Sequence, residues 1–410
     1  MTLNRILVVG ANVAGLKAVE SLRQNGFDGK IVLIGDEFHL PYDRPPLSKQ
    51  ILTGDLDSSV LAYRDAQWFR DQRVDALLGK RATALDVINQ RVSVDDGDIS
   101  FDGLIIATGA RPRTLPIGEA LSGMHTLRTL DDALALKEQL HAGARVVVIG
   151  AGFIGAEVAS SARLIGAEVT VLEAAHAPLI RAFGATTGAQ LGALHEQNGV
   201  QLLCNAHVHA IRGRDRVQAV VLSDGTELPA DVVVVGIGCV PNTEWLAGSG
   251  LDIDNGLVCD RTLNVGHDRI YAAGDVASWL NEWSGTTSRS EQWTVSGDQG
   301  RHAAANLLAG REAATSFSTA PYFWSDQYGV KIQSVGRTDI GQLRSLTGTP
   351  VSRPFLGVYE HEGRVVGALA INSPRAFSIL RGKISSSASY DEAIQSVERF
   401  ITDAGAVRCE

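Results

Sequence analysis

An α/β fold built around a duplicated nucleotide-binding unit is predicted by three features of this 410-residue chain. The apolar run Arg5–Gly10 is typical of a parallel strand buried on both faces, and it leads through a glycine turn into a helical stretch. The same pattern returns between Arg145 and Glu173. From Pro321 onward, shorter alternating strands indicate a small C-terminal α+β domain. We therefore expect two Rossmann-like domains followed by a smaller third domain.

The remaining elements follow from apolar spacing and from turn residues. Helical spacing covers two short stretches, and continuous apolar runs mark the further buried strands of the two units. The predicted helices are Leu16–Leu22 and Ala156–Ile165, the predicted strands are Lys30–Gly35, Glu168–Glu173, Gly103–Gly109 and Asp231–Gly238, and a proline-rich loop covers Leu40–Lys49. The C-terminal part is expected to contain strands at Val330–Val335 and Val365–Ala370 and to end in a helix over Asp391–Ala404.

Length and charge limit the classes of function. A chain of 410 residues is longer than one compact core usually supports, so two or three domains are expected. The net charge of -9 argues against a nucleic-acid partner, because phosphate binding needs clustered Lys and Arg. No window approaches the roughly 20 apolar residues of a membrane span, and the N-terminus carries no signal-like segment. We expect a cytoplasmic protein without a membrane partner.

Cysteine usage excludes two kinds of redox centre. The four cysteines are Cys204, Cys239, Cys259 and Cys409, all in the second half of the chain and none in a C-x-x-C pair. Free thiols are expected. The chain therefore lacks a redox-active disulfide near its first nucleotide unit, and it lacks the four-thiolate set of an iron–sulfur cluster. No other metal cluster is expected either.

The second glycine turn meets every requirement of a dinucleotide site. Gly150, Gly152 and Gly155 follow a buried strand and open a helix, and Glu173 ends the next strand. In such turns the glycines allow a tight turn, close approach of the pyrophosphate and close helix packing. Glu173 should accept hydrogen bonds from ribose hydroxyls, which favours NAD over NADP.

The first glycine turn departs from that pattern. Gly10 and Gly15 are in place, but Asn12 occupies the middle glycine position, and Asp36-Glu37 ends the second strand. A Cβ at residue 12 crowds the approach of the pyrophosphate, whereas Asn tolerates left-handed backbone better than most residues. We still expect a nucleotide here, because the unit is duplicated.

Several longer motifs resemble one family. They are Pro41–Lys49, Ala107–Gly109, Ala273–Asp275, Glu291–Trp293 and Tyr322–Gln327, in this order. Together with the two glycine turns they resemble the oxygenase-coupled NADH:ferredoxin reductases, a group that includes putidaredoxin reductase and the reductase components of aromatic-ring dioxygenases. The resemblance covers essentially the whole chain. It implies a glutathione-reductase-like fold with a discontinuous FAD domain (1–112 and 241–320), an NAD domain (113–240) and a C-terminal domain (321–410).

The resemblance also implies roles for individual residues. Lys49 would lie near the flavin N5 and pair with Glu157, where an ammonium stabilises negative charge on reduced flavin. Trp324 would lie beside the flavin on the route to the ferredoxin. The implied FAD contacts are Gly10, Asn12, Ala14, Gly15, Asp36, Glu37, Arg44, Lys49, Ala82, Ala107, Thr108, Gly109, Arg128, Gly274, Asp275, Glu291, Gln292 and Trp293. The implied NAD contacts are Gly150, Gly152, Phe153, Ile154, Gly155, Glu173, Arg181, Gly236, Ile237 and Gly238.

The reaction implied is reduction of bound FAD by NADH and transfer of single electrons to a separate 2Fe-2S ferredoxin, which supplies a cytochrome P450 or a Rieske-type oxygenase. Disulfide reductases and peroxide-reducing NADH oxidases are excluded, since they need a cysteine near the flavin. A rubredoxin reductase remains an alternative, and so does a redox-sensing interaction protein resembling apoptosis-inducing factor. The protein is expected to be a monomer or a homodimer.

Overall fold

The structure is a computed structural model that describes residues 3–117, 121–351 and 354–406, so Cys409 lies outside it. Within these residues the strands are β1 (Arg5–Val9), β2 (Lys30–Gly35), β3 (Val74–Leu78), β4 (Ala82–Asp86), β5 (Arg91–Val94), β6 (Gly97–Ser100), β7 (Gly103–Ile106), β8 (Ala110–Pro112), β9 (Met124–His125), β10 (Arg145–Ile149), β11 (Glu168–Glu173), β12 (Gln201–Cys204), β13 (Val208–Gly213), β14 (Val217–Leu222), β15 (Glu227–Pro229), β16 (Val232–Val235), β17 (Cys239–Pro241), β18 (Leu257–Cys259), β19 (Asn264–His267), β20 (Ile270–Ala272), β21 (Ala277–Asn281), β22 (Thr286–Arg289), β23 (Tyr322–Gln327), β24 (Val330–Gly336), β25 (Gln342–Thr347), β26 (Phe355–His361) and β27 (Arg364–Ile371). The helices are α1 (Val13–Gln24), α2 (Gln50–Thr53), α3 (Ala66–Asp71), α4 (Leu130–Lys137), α5 (Phe153–Ile165), α6 (Ile180–Gln197), α7 (Trp293–Ala309), α8 (Pro374–Ser385) and α9 (Tyr390–Ala406).

The first of two compact units contains Met1–Asp43, Ser59–Arg111 and Cys239–Pro321. Its main sheet has the order β19-β20-β7-β1-β2-β3, in which all strands except β19 run parallel. Strands β1 and β7 are almost wholly buried, as their continuous apolar sequences predict. Helix α1 packs closely on α7, where a Cβ on Gly300 would come within 2.1 Å of the Ala14 carbonyl oxygen. This sheet and helix pair carry the first nucleotide turn.

The second unit contains Arg44–Ser58, Pro112–Gly238 and Tyr322–Glu410. Its nucleotide-binding sheet has the order β12-β11-β10-β16-β9, all parallel, and α5 packs on it. The strands from Tyr322 onward form an antiparallel sheet of order β23-β24-β27-β26-β25, covered by α8 and α9. The predicted C-terminal antiparallel strands are thus confirmed, while the division into three domains stays a prediction.

The proline-rich segment is more ordered than a loop. Pro45–Ser48 forms a 3₁₀ turn with proline at its first position, and α2 follows directly. Proline fits the start of a helical turn because its φ is fixed and its missing N–H would have no partner there. The prediction of a proline-rich loop over Leu40–Lys49 was therefore wrong at its C-terminal end, where the 3₁₀ turn lies.

The described part of the chain contains neither a membrane-spanning helix nor a metal-holding group of side chains. None of the helices there has both the length and the apolar character needed to cross a membrane. In the same residues no group of three or more His, Cys, Asp or Glu side chains is arranged to hold a metal ion.

A buried histidine–tyrosine pair connects α6 with the turn between β23 and β24. His195 Nδ1 lies 2.7 Å from the Tyr328 hydroxyl, and the two rings meet edge to face. The Tyr328 N–H donates to Ser160 Oγ over 2.7 Å, which fixes the turn against α5. Burial lowers the pKa of His195 to about 4, because the charged imidazolium is poorly solvated there. The neutral ring is therefore the form compatible with this packing.

This pair predicts an acid-sensitive second unit. A histidine with a pKa near 4 when folded and about 6.5 when unfolded binds its proton more readily in the unfolded chain, so stability falls as the pH drops through that window. At pH 5 the loss is about 2 kcal/mol. Thermal unfolding of His195→Gln should depend less on pH between 7 and 5 than that of the unsubstituted protein. His209→Gln, at an exposed position on β13, is the control; equal pH dependence in all three proteins would contradict the assignment.

Candidate functional site

The second nucleotide turn has the geometry of an anion-binding helix start. Gly150 has a φ of +104°, and a Cβ there would lie 2.3 Å from the Gly236 carbonyl oxygen. A Cβ on Gly155 would lie 2.1 Å from the Gly150 carbonyl oxygen. At Gly152, by contrast, the nearest atom would be the Gly236 carbonyl oxygen at 4.0 Å, which leaves space beside the turn. These two close contacts and one open position match the three roles of the glycines.

The N-terminus of α5 is available to a phosphate. Gly152 is its N-cap residue, and among the described residues no side chain caps the first turn. The N–H groups of such a turn, with the partial positive charge of the helix end, bind anions. Phe153 packs against Phe183 and Phe323, whereas Ile154 is half exposed beside it. A nucleotide bound here would therefore meet the backbone of this turn more than its side chains.

Glu173 is hydrogen-bonded to the same turn. Its Oε2 accepts from the Ala151 N–H over 3.0 Å, and its Oε1 accepts from the Ala175 N–H over 2.9 Å. A carboxylate offers about four acceptor positions, so these two bonds leave capacity for ribose hydroxyls. The carboxylate is therefore held in place before a nucleotide arrives.

The remaining predicted NAD contacts do not all lie at the glycine turn. Gly236, Ile237 and Gly238 follow β16 directly, and the Gly238 carbonyl accepts from the Arg113 N–H over 2.9 Å. Arg181 lies exposed in the first turn of α6. The structure thus brings the segment after β16 to the glycine turn and leaves Arg181 on the surface.

Asn12 gives the first nucleotide turn a different chemistry. Its Oδ1 accepts from the N–H groups of Ala14 and Gly15 over 3.0 and 3.3 Å, and its Nδ2 donates to the Ala107 carbonyl over 2.6 Å. The side chain therefore caps α1 and ties it to the segment after β7. A Cβ on Gly10 would lie 1.9 Å from the same Ala107 oxygen, so this carbonyl is enclosed by the turn.

The expected reason for tolerating Asn12 was wrong. Its φ of -123° and ψ of -169° are extended, not left-handed, so the residue needs no special backbone freedom. Capping explains the Asn instead, since an N-cap residue has extended backbone and a side-chain acceptor. It also explains why α1 begins at Val13, three residues before the first apolar position that spacing alone indicated.

The acid of the first unit is displaced by one residue. Strand pairing aligns Val9 with Ile34 and Ile149 with Leu172, so Gly35 occupies the position of Glu173. A Cβ on Gly35 would lie 2.4 Å from the Ala11 Cβ, which excludes a side chain there. The first acid is consequently the next residue along the chain, in the loop after the strand.

Both candidate ribose acids already have partners. Asp36 Oδ2 accepts from Arg81 over 3.0 Å, and Glu37 Oε2 accepts from the Tyr42 hydroxyl over 2.5 Å. Arg81 was missed by the sequence reasoning, although it precedes the predicted contact Ala82. The choice between Asp36 and Glu37 stays open.

The segment after β7 is held by a residue that the motifs did not single out. Thr108 Oγ1 donates to the Asn242 carbonyl, and Asn242 Nδ2 donates to the Thr108 carbonyl, both over 2.9 Å. The Asn242 N–H donates to the Gly109 carbonyl over 2.9 Å. This reciprocal bonding fixes the predicted Ala107–Gly109 contacts. The sequence signal that could have indicated Asn242 is the Pro241-Asn242 pair shortly after Gly236–Gly238.

Gly274 and Asp275 lie where α7 approaches α1. Gly274 has a φ of +77°, and its N–H donates to Gln299 Oε1 over 2.8 Å. Asp275 is buried, and its Oδ1 accepts from Ser296 Oγ over 3.0 Å. A Cβ on Gly274 would lie 3.1 Å from the Ala14 Cβ, so the turn approaches the first glycine turn closely.

The start of α7 carries an unsatisfied polar atom. Gln292 is its N-cap residue, and within the described residues its Oε1 is buried without a hydrogen-bond partner. Buried polar atoms are almost always hydrogen-bonded, so an orphaned acceptor indicates that a donor is supplied by something else. A hydroxyl or imide N–H of a bound cofactor would satisfy it. The residues of the first unit therefore fit a dinucleotide that extends from the glycine turn to α7.

Two neighbours of Gln292 are positioned by hydrogen bonds. Trp293 Nε1 donates to the Tyr63 hydroxyl over 2.9 Å, and Arg289 donates to Glu291 Oε1 over 2.8 Å. Burial and the Glu291 carboxylate raise the pKa of the Cys239 thiol to about 12. A protonated thiol is a poor nucleophile, so the raised pKa disfavours thiolate chemistry at Cys239.

The Lys49–Glu157 pair is confirmed as a contact within the second unit. Lys49 Nζ lies 2.6 Å from Glu157 Oε2, and Glu157 is only 3% exposed. Ser48 Oγ donates to the same oxygen over 2.5 Å, and Ser325 Oγ donates to Oε1 over 2.6 Å. Both serines belong to motifs that carried the resemblance, yet sequence reasoning gave them no role. Their hydroxyls complete the hydrogen bonding of a buried charge.

Other predicted residues of the second unit also meet. Arg44 donates to the Arg128 carbonyl over 2.6 Å, which joins two predicted FAD contacts. Trp324 stacks on Tyr322 at 5.8 Å between centroids, and Arg381 lies 4.2 Å over the Tyr322 ring. Arg381 was not predicted, because cation–π contacts between distant residues leave no local pattern.

Two glycine turns of the dinucleotide-binding kind, each between parallel strands of its own sheet, define the class as a two-nucleotide oxidoreductase fold. A family model described as pyridine nucleotide-disulphide oxidoreductase matches residues 4–300, and a reductase C-terminal model matches residues 322–397. The chain belongs to the pyridine nucleotide-disulphide oxidoreductase family. Its resemblance to the oxygenase-coupled ferredoxin reductases is confirmed by the relatives that follow.

The ferredoxin–NAD(+) reductase component of an anthranilate 1,2-dioxygenase system from Burkholderia cepacia is 40% identical over 95% of this chain and 96% of that protein. A rubredoxin–NAD(+) reductase from Pseudomonas putida is 34% identical over 92% of this chain and 98% of that protein. Among solved structures, the covalent putidaredoxin reductase–putidaredoxin complex matches with a TM-score of 0.90 and 32% identity, over 94% of this chain and 93% of that chain.

Loss of the Asn12 cap should loosen the first turn of α1. Asn12→Ala removes an N-cap acceptor worth about 1 kcal/mol, so amide hydrogen exchange at Ala14 and Gly15 should accelerate about fivefold. Asn12→Ser keeps an acceptor oxygen and should restore most of the protection. Amides at the start of α5 serve as the internal control. Unchanged exchange at Ala14 in Asn12→Ala would show that the side chain does not cap the helix.

Proposed function

We propose that this chain is an FAD-dependent NADH:ferredoxin reductase that passes electrons singly to a separate 2Fe-2S ferredoxin. That ferredoxin would supply a cytochrome P450 or a Rieske-type oxygenase. The observation that carries the proposal is a complete pyridine nucleotide turn with Glu173 in a chain that has no cysteine before Cys204. Because the chain has no disulfide that could receive the electrons, they would pass to a redox centre on another protein. The relatives from dioxygenase systems and the putidaredoxin complex support the same partner class.

FAD would be held by the first unit. Its pyrophosphate would lie at the turn Gly10–Gly15, and Asp275 and Gln292 would bond its more distant part. Bound FAD supplies the chemistry that the side chains lack, because it accepts two electrons from NADH and gives them up one at a time. The protein residues bind and orient the nucleotides. We assign the FAD domain to 1–112 and 241–320, the NAD domain to 113–240, and the remainder, 321–410, to the C-terminal domain.

NADH is the proposed donor rather than NADPH. The Glu173 carboxylate is fixed by two backbone N–H groups, so it can accept from both ribose hydroxyls without rearrangement. A 2′-phosphate would instead meet this negative charge. Repulsion between the two anions supports selection against NADPH.

Lys49 and Glu157 are the proposed polar centre of the reaction. An ammonium held 2.6 Å from a buried carboxylate keeps a defined position, and the two serine hydroxyls orient that carboxylate. The Lys49 charge would stabilise negative charge that develops on the reduced cofactor. Trp324, in its stack with Tyr322, is proposed to lie on the path of electrons to the ferredoxin.

A rubredoxin reductase is the second candidate, favoured by the 34% identical rubredoxin–NAD(+) reductase. It differs from the first only in the iron protein that is reduced. An interaction protein that binds nucleic acid is disfavoured by the net charge of -9. The cytoplasmic location and the state of monomer or homodimer stay predictions.

The donor and the acceptor can be tested together. The purified protein should be yellow, and under anaerobic conditions NADH should bleach it much faster than NADPH. Glu173→Gln should raise the Kd for NADH about tenfold, since a hydrogen bond to a charged group is lost. Glu168→Gln, at the exposed start of the same strand, should have no effect. Stopped-flow absorbance with a 2Fe-2S ferredoxin and with a rubredoxin as alternative acceptors then distinguishes the two candidate functions.

The polar centre needs a variant that leaves no unpaired buried charge. Lys49→Met alone would strand the Glu157 carboxylate, which destabilises a protein strongly. The double variant K49M/E157Q removes both charges and should fold, while reduction of its flavin by NADH should slow about 100-fold. Lys331→Met, which breaks the exposed pair with Asp326, is the control. A double variant that is reduced at the ordinary rate would exclude this role for Lys49.

A further inference from the structure

An exposed aromatic ring stands next to the acids of the first nucleotide unit. Phe38 follows Asp36 and Glu37 directly, and its side chain is 81% exposed. Single exposed apolar residues are common on protein surfaces, so exposure alone has no meaning. The position of this ring, at the end of β2 where the adenosine of a dinucleotide lies, distinguishes it.

The ring of Phe38 rests on the backbone of Gly79. A Cβ on Gly79 would lie 2.3 Å from Cε1 of Phe38, so the ring lies directly over this residue, and the φ of Gly79 is +66°. The Gly79 N–H donates to the Glu37 carbonyl over 2.9 Å, and the Lys80 N–H donates to the Gly35 carbonyl over 2.8 Å. These bonds fix the two segments to each other. Phe38 is therefore supported by its neighbours while most of the ring faces solvent.

The polar groups beside the ring match the rest of an adenosine. Asp36, paired with Arg81 at 3.0 Å, offers carboxylate oxygens to ribose hydroxyls. In a nucleotide the purine is bonded directly to that ribose, so a base whose ribose meets Asp36 or Glu37 lies close to Phe38. Aromatic side chains stack on bases because both present flat, polarisable faces.

The second nucleotide unit has a smaller and more polar ring at the same register. Because Gly35 aligns with Glu173, Phe38 aligns with His176, which is an exposed imidazole. The large apolar ring is therefore a feature of the first copy, and it offers a base the broader flat face.

The geometry points to Phe38 as the residue that stacks on the adenine of the flavin nucleotide and so makes the first unit select FAD over FMN. This inference rests on the proposed function, because it assumes that the first unit binds a flavin dinucleotide. FMN has the flavin and the phosphate but no adenosine. Only the dinucleotide gains from the ring.

The test compares two flavins on full-length protein freed of its cofactor. Flavin fluorescence titrations give the Kd of FAD and of FMN for the unsubstituted protein and for Phe38→Ala. The Kd of FAD should rise roughly tenfold in Phe38→Ala, in line with the effect of losing one aromatic–base stack, and the Kd of FMN should not change. Phe38→Tyr, which keeps the ring, should bind FAD as tightly as the unsubstituted protein.

The matched control is Ile88→Ala, at a 92% exposed apolar position in the same unit. It should leave both Kd values unchanged. An unchanged Kd of FAD in Phe38→Ala, or an equal rise for both flavins, would overturn the stacking role while leaving the proposed function intact. Failure of the unsubstituted protein to bind FAD would overturn the proposed function itself, and this inference with it.

Discussion

The buried carboxylate of Glu157 determines how the second unit is assembled. A charge at this depth is stable only when an opposite charge and further hydrogen-bond donors surround it. Lys49, Ser48 and Ser325 meet that requirement from two segments that are distant in the sequence. The 3₁₀ turn at Pro45–Ser48 and the first strand of the C-terminal sheet must therefore both pack against α5. The need of the buried Glu157 carboxylate for hydrogen bonds and an opposite charge thus fixes Lys49 in the position that the proposed chemistry uses.

The two nucleotide turns share one backbone arrangement, but they differ in how the helix start is capped and in where the acid lies. Gly152 leaves the N-terminus of α5 open, whereas Asn12 satisfies two N–H groups of α1 with its own side chain. Glu173 accepts a hydrogen bond from the Ala151 N–H of its own turn. Gly35, at the same register, has no room for a side chain beside Ala11, so the first acid lies in the loop that follows. The helix start of the complete copy is open to a ligand, since Gly152 provides no side-chain cap. The altered copy is organised by its own residues.

The local sequence pattern was sufficient to predict helices and strands. The longer motifs were sufficient to predict contacts such as the Lys49–Glu157 pair. Strands such as Lys30–Gly35 and Glu168–Glu173 have the predicted bounds because continuous apolar runs leave little choice of structure. Asn12 shows where the sequence pattern was insufficient. Its presence was explained by tolerance of left-handed backbone, whereas its side chain in fact caps the start of α1. Arg81, Asn242 and Ser325 were missed because their partners lie between 45 and 168 residues away. Such contacts depend on how strands are ordered in a sheet, which spacing along the chain does not encode.

The high pKa of Cys239 has a consequence for the lifetime of the protein. Reduced flavins react with oxygen, and the peroxide formed attacks thiolates before thiols. Burial and the Glu291 carboxylate keep the Cys239 sulfur protonated at the pH of a cell, and burial also raises the pKa of Cys259. Oxidation to sulfenic and sulfinic acids starts from the thiolate, so the raised pKa disfavours it at both positions. With the proposed flavin chemistry, both cysteines would resist the damage that an exposed, ionised thiol accumulates.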